Sequence, residues 1–248
     1  MAWYAYCITE QRAFQGETRS RRPFLIPDLH GIENTAVYGY PSGELAVIVS
    51  EYQPSAELNQ KAILEHAHVL SECFRNTTVL PFRFGTVFEN DDALRRAVRA
   101  NRKAFLSSVE HLRGKAEMHL KLIVKDGSVR EAISSIDEAL PAVVGSVYLT
   151  KLREKAARQR ERQTKARAIS VQVHKLFHPL EEEVSCKKLD ASRGMLIDIA
   201  HLVDHKSIEK YQARYQAATK QLKDCQLAIS GPWPPYHFLP GKWRTIAS

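Results

Sequence analysis

His174 and His178 stand four residues apart, the spacing that puts two imidazoles on one face of a helix, where they can grip a metal ion. The residues between them are Lys175, Leu176 and Phe177, so the glutamate of an HExxH helix is missing. His66 and His68 are two apart and point to different sides of a helix. His201 and His205 straddle a predicted strand end and helix start. Metal sites need several converging ligands, so these histidines are read as surface or capping groups. Cys7, Cys73, Cys186 and Cys225 lie far apart with no CxxC, which argues against a zinc ribbon or a disulfide framework. They are read as reduced, mostly buried small hydrophobes. The glycines are scattered, with no GxxxxGK[ST] or GxGxxG to cradle a phosphate and no GxSxG to carry a nucleophile. Asp91-Asp92 and Glu181–Glu183 read as helix-end and loop charges. No set of nucleophile, base and oxyanion donors emerges, so no enzyme, no cofactor and no metal is expected.

Three segments suit contacts with another macromolecule. In Leu80-Pro81-Phe82-Arg83-Phe84-Gly85, strand alternation places Arg83 opposite the Leu80/Phe82/Phe84 face, either as a structural ion-pair partner or as a contact residue. Lys151–Arg167 holds eight basic residues, among them Arg153, Arg158 and Arg162, against Glu154 and Glu161. It supplies six of the chain's eight net positive charges, so the rest of the surface is nearly neutral. A solvated helix face, a protein-partner surface and a nucleic-acid contact are the three readings of it. The first is preferred, because the middle of the segment lacks aromatics for base stacking. Gly231–Phe238, with Trp233, Tyr236 and Phe238 among prolines, reads as a rigid polyproline-like stretch. It docks on its own domain or on a partner, and the former is preferred because loose aromatics are a solubility liability.

The elements that must position these residues follow from pattern. Trp3–Thr9 predicts a strand, and Glu10–Asn34, with Pro23, Pro27 and Gly31, a long loop. Ala36–Tyr40 and Leu45–Tyr52 flank the turn signal Pro41–Glu44 and predict a hairpin. Pro54-Ser55 opens a helix buried through Ile63, Ala67, Leu70 and Phe74. Thr78–Phe88, interrupted by Pro81 and Gly85, predicts an edge or bulged strand. Asn90 caps the next helix, whose face is Leu94, Val98, Phe105, Val109 and Leu112, with Gly114 at C′.

Met118–Val124 then predicts a strand, and Ser128 with Glu131 a capping box for a short helix through Leu140. A long basic helix spans about Ser146 to Phe177, anchored by Val147, Leu149 and Leu152 at one end and Ile169, Val173 and Leu176 at the other. Glu183–Leu189 and Met195–Val203 are strands turning at Ser192-Arg193-Gly194. Asp204 caps a helix with Ile208, Tyr211, Tyr215, Ala218 and Leu222 on one face, and Gln226–Ser230 is the last strand. Without the short helix, the order is βαββαβ, the ferredoxin-like pattern.

The expected fold is therefore α+β with two domains: an N-terminal mixed α+β domain over 1–114 and a C-terminal ferredoxin-like domain with the long basic helix over 115–231. A Pro/aromatic tail over 232–248 follows. The apolar content of 44% excludes disorder as the main state, and no run reaches the ~18 apolar residues of a spanning helix. With no basic n-region or apolar h-region at the front, a cytosolic protein without a membrane partner is expected.

Several separated blocks carry a family resemblance. They are Val79–Phe88 (VLPFRFGTVF), Leu112–Glu117 (LRGKAE), Gly145–Lys151 with Tyr148-Leu149, Gly231–Phe238 (GPWPPYHF), and near the front Pro27–Ile32 and Leu45–Glu51. Together they resemble the gas-vesicle protein F/L family, over about Trp3 to Phe238. That resemblance implies a two-domain α+β protein with a ferredoxin-like second domain and no catalytic activity. It implies a minor gas-vesicle component or assembly factor that contacts the small hydrophobic shell protein and other vesicle accessory proteins. The protein-binding residues expected are Phe82, Arg83, Phe84, Arg153, Arg158, Arg162, Trp233, Tyr236 and Phe238. The alternative is a nucleic-acid-binding module using Lys151–Arg167.

Overall fold

The structure is a computed structural model that describes residues 1–15, 22–53, 55, 57–124, 144–191, 194–223 and 225–240. The chain divides into two units, Met1–Glu117 together with the segment that begins at Gly231, and Met118–Ser230.

The first unit is built on a six-stranded sheet ordered β2-β3-β4-β1-β5, with β6 also pairing β1. Its strands are β1 (Ala2–Glu10), β2 (Phe24–His30), β3 (Ala36–Ser42), β4 (Leu45–Tyr52), β5 (Val79–Pro81) and β6 (Val87–Phe88). A short helix α1 (Arg12–Gln15) follows β1. The pairings are antiparallel, and Trp3–Ile8 and Leu45–Val49 are buried along their whole length. A strand buried on both sides needs a helix on each face. Tyr4 meets α2 (Gln60–Asn76) through His66, and its neighbour Trp3 donates its indole N–H to Asp91 of α3 (Asp91–Leu112) at 2.8 Å. Alternation along β1 thus sends successive side chains into two helical layers.

The hairpin β3–β4 forms as the turn chemistry predicts, with Ser42 paired to Leu45 and Gly43 at φ +70°. α3 also matches its sequence: the Asn90 side chain accepts from the Ala93 N–H, the five predicted apolar residues are buried, and Gly114 follows the cap at φ +70°. Three expectations need correction. Part of the predicted loop 10–34 is strand β2, a poor ladder whose register breaks between Leu25 and His30, where Pro27 has no N–H to give. α2 begins at Gln60, because the Asn59 side chain accepts from the N–H groups of Lys61 and Ala62. Its buried face is Ala62, His66, Val69, Leu70, Cys73 and Phe74, and Ile63 is 49% exposed. Polar His66 and Cys73 occupy core positions that a count of apolar residues passes over.

The second unit is a four-stranded sheet ordered β10-β7-β9-β8, from β7 (Lys115–Val124), β8 (Glu183–Ala191), β9 (Gly194–Asp204) and β10 (Cys225–Trp233). With α4 (Val144–Phe177) and α5 (Ile208–Gln221) the order is βαββαβ, the ferredoxin-like arrangement that the sequence predicts. Met118, Leu120 and Leu122 of β7 and Ile197 and Ile199 of β9 meet Ala166, Ile169, Val173 and Phe177 of α4 in one core. Tyr211, Ala218 and Leu222 of α5 complete it. Among the predicted anchors of α4, Leu152 is exposed, and Phe177 rather than Leu176 is the buried residue of the last turn. Asp204 caps the 3-10 turn His205–Ser207 ahead of α5. The predicted short helix to Leu140 and the turn residues Ser192 and Arg193 lie outside the described residues.

Candidate protein-interaction site

The Leu80–Gly85 segment is not one strand. β5 ends at Pro81 and β6 starts at Val87, and between them a turn closes with the Thr86 N–H on the Arg83 carbonyl at 3.1 Å. Arg83 is exposed, Phe82 is 2% exposed and Phe84 is half-buried. The expected sidedness is present, but a turn produces it instead of strand alternation. Gly85 sits at φ +86°, a conformation that a side chain resists, which explains its place in the turn.

The turn is anchored on both sides. The Phe82 N–H donates to the Tyr6 carbonyl at 2.8 Å and the Ala5 N–H to the Thr86 carbonyl at 2.9 Å. The Gly85 N–H donates to the Tyr4 hydroxyl at 3.0 Å, and that hydroxyl lies 2.9 Å from His66 Nδ1. Burial holds His66 down to about 4, so it is neutral at pH 7. Its Nδ1 therefore accepts the Tyr4 O–H, which leaves the proton on Nε2 beside the Phe82 backbone, without hydrogen-bond geometry. Phe84 packs edge-on against His66 with ring centroids 5.7 Å apart. Among the described residues Arg83 makes no ion pair. It is an exposed cation on an anchored turn that follows β5, the end strand of the sheet.

The Gly231–Phe238 block is partly strand. β10 runs through Trp233, and Tyr236–Phe238 forms a 3-10 turn, which corrects the polyproline-like reading. The His237 backbone N–H donates to Glu117 Oε2 at 2.8 Å, and His237 Nδ1 lies 2.7 Å from Oε1. The block thus docks on its own unit through a buried carboxylate. Trp233 and Tyr236 remain 45% and 42% exposed, and Phe238 is half-buried. Burial of its hydroxyl pushes the Tyr236 pKa up. On α4, Arg153 and Arg158 are exposed, and Arg162 lies on the same helix.

The cavity of about 400 Å³ in the first unit lies against Glu10, Glu44, Glu110 and Arg113. Arg113 bridges Glu10 at 3.0 Å and Glu110 at 2.7 Å, Arg12 also meets Glu10 at 3.0 Å, and Arg102 meets Glu44 at 3.4 Å, so each of these carboxylates has a cationic partner. Among the described residues, no helix is long and apolar enough to cross a membrane.

The chain is similar to known proteins along its length. It is 25% identical over 236 residues to gas vesicle protein F of Streptomyces sp. (strain CB03234), covering 90% of this chain and 97% of that protein. It is 23% identical over 209 residues to gas vesicle protein F2 of Halobacterium salinarum, covering 83% and 81%. Its fold matches the crystal structure of the gas vesicle protein GvpF from Anabaena sp. PCC7120 with a TM-score of 0.72 at 14% identity, over 96% of this chain and 98% of that one. The GvpF structure from Microcystis aeruginosa gives 0.70 at 17% identity, over 96% and 99%. Residues 2–240 match the model of the family described as Gas vesicle synthesis protein GvpL/GvpF, and the chain belongs to that family.

Proposed function

We propose that this chain assists gas-vesicle assembly by binding the small hydrophobic shell protein, with the Arg83 turn as a contact. The family match over residues 2–240 carries the reading. The geometry adds an anchored turn with an exposed cation beside the end strand of a sheet, a form suited to strand addition. A shell subunit exposes apolar and edge-strand surface before it assembles, and that surface aggregates unless covered. Trp233 and Tyr236 offer exposed aromatic area for the same task.

Co-expression with the shell protein tests this. The expected result is more soluble shell protein with the wild-type chain and less with Arg83→Glu. Unchanged shell solubility with the wild-type chain overturns the reading. A second reading, a nucleic-acid contact, is favoured by one observation: every described side chain from Leu152 to Glu161 of α4 is exposed, Arg153 and Arg158 included. Titration with a polyanion separates the two, because binding through those cations must fall steeply as salt rises.

A further inference from the structure

The end of α4 brings together side chains that the proposed function does not use. α4 places His174 and His178 one turn apart, with ring centroids 5.1 Å from each other. After the 3-10 turn His178–Leu180 the chain becomes extended at Glu181, whose carboxylate folds back under both rings. Glu181 Oε1 lies 3.1 Å from His174 Nδ1 and 3.4 Å from His178 Nδ1. These three ligand atoms all lie within 4.8 Å of one another. Zinc bonds to nitrogen and oxygen of about 2.0–2.1 Å at tetrahedral angles put neighbouring ligands roughly 3.3–3.4 Å apart. The two measured edges bracket that separation.

A second observation points to a cation. The Glu181 side chain is 3% exposed, and its Oε2 is buried with no hydrogen bond. His201 Nε2 approaches Oε2 to 3.1 Å, but not along its N–H direction. A buried carboxylate short of donors is costly, and a cation bound through Oε1, the oxygen that faces His174 and His178, offsets its charge. His201 itself is fixed from behind. Its Nδ1 pairs with the Tyr211 hydroxyl at 2.5 Å, and its ring stacks on Phe177 at 5.6 Å and 19°. With Tyr211 donating to Nδ1, the His201 proton sits on Nε2, on the carboxylate side. A small turn of the carboxylate on binding an ion would bring Oε2 into line with that N–H, as an outer histidine orients a metal-bound carboxylate.

We propose that His174 Nδ1, His178 Nδ1 and the Glu181 carboxylate bind one divalent transition-metal ion of the zinc class. His201 and Tyr211 position the carboxylate, and water fills the remaining coordination. A donor set of two imidazoles and one carboxylate suits zinc or cobalt and disfavours the all-oxygen cations magnesium and calcium. His174 and His178 are exposed, so the ion has an entry path from solvent. Bound there, the ion ties the last turn of α4 to the segment leading into β8.

Cobalt(II) titration of tag-free full-length protein, stripped with a chelator, tests the site. The expected result is a one-to-one complex with the visible d–d bands of low-symmetry coordination, bleached by zinc and insensitive to magnesium. His174→Ala and His178→Ala change exposed positions, leave the fold intact by circular dichroism, and each weaken cobalt binding at least ~10-fold. His201→Phe weakens it by ~10-fold or more without removing a ligand. His68→Ala, at an exposed position on α2, leaves it unchanged. Absence of a one-to-one complex overturns the site, as does a complex that survives both alanine substitutions.

Discussion

Each unit of this protein buries one histidine, and each of those histidines meets a tyrosine hydroxyl through Nδ1. His66 pairs with Tyr4 at 2.9 Å in the first unit, and His201 with Tyr211 at 2.5 Å in the second. Burial holds both down to about 4, and at His201 the neighbouring His174 and His119 add to it. The difference lies at the other ring nitrogen. His66 Nε2 faces backbone inside an aromatic shell of Tyr4, Tyr6 and Phe84. His201 Nε2 faces the Glu181 carboxylate, which also meets two exposed imidazoles. One histidine is a polar strut that carries the Arg83 turn, and the other orients a carboxylate poised for a cation. The same residue and the same tyrosine partner serve different ends, because the second neighbour decides the role.

The largest way to break this contrast is to remove the strut. His66→Ala leaves a cavity and an unpaired Tyr4 hydroxyl in the core, and is expected to cost the first unit about 4 kcal/mol. Urea unfolding monitored by hydrogen exchange must show the loss in Met1–Glu117 and spare Met118–Ser230. If both units lose protection equally, the strut is not local.

Acid gives the next largest effect. His66 titrates near 6.5 when unfolded and at about 4 when folded, so between these values the unfolded chain binds the extra proton. Its contribution is complete above pH 6.5 and is lost as the pH falls toward 4, a loss of about 3 kcal/mol. His66→Phe, measured over that range, must flatten the slope of first-unit stability against pH.

Removing the tyrosine hydroxyls compares the two pairs directly. Tyr4→Phe deletes the donor to His66 and the acceptor of the Gly85 N–H, and is expected to cost about 2 kcal/mol. Tyr211→Phe deletes the bond to His201 and is expected to cost about 1 kcal/mol. Chemical denaturation of the two variants ranks them, and the reverse order would mean that the Gly85 bond contributes nothing.

The smallest effect sharpens the functional side. Arg83→Glu changes an exposed side chain, so stability must stay within about 0.5 kcal/mol. Tyr4→Phe is expected to speed amide exchange at Gly85, and Arg83→Glu is not. Equal acceleration in both variants would show that Arg83 helps to hold the turn.

Much of this was legible residue by residue. Asn90 and Gly114 mark the ends of α3 because a cap and a positive φ are local requirements. The ferredoxin-like order of the second unit follows from the alternation in β7 and the apolar spacing of α5, both local periodicities. The misread places have local patterns that mislead. Pro27 makes an edge strand resemble a loop. Ile63 suggests a core face that the Asn59 cap rotates outward. Glu181, which reads as a loop charge, lies under three histidines. The only signal for it was the four-residue spacing of His174 and His178, which gives two ligands and no third.

Sequence by itself determined most of the elements, the family and the concentration of positive charge on α4, because caps, periodicity and composition act over a few residues. The tertiary structure alone decided that Arg83 stands exposed on a turn braced by Tyr4 and His66. It alone decided that Glu181 meets His201, because those groups come from β1, α2 and β9, far apart along the chain. Their meeting depends on how sheets and helices pack, and on the cost of burying a polar atom without a partner.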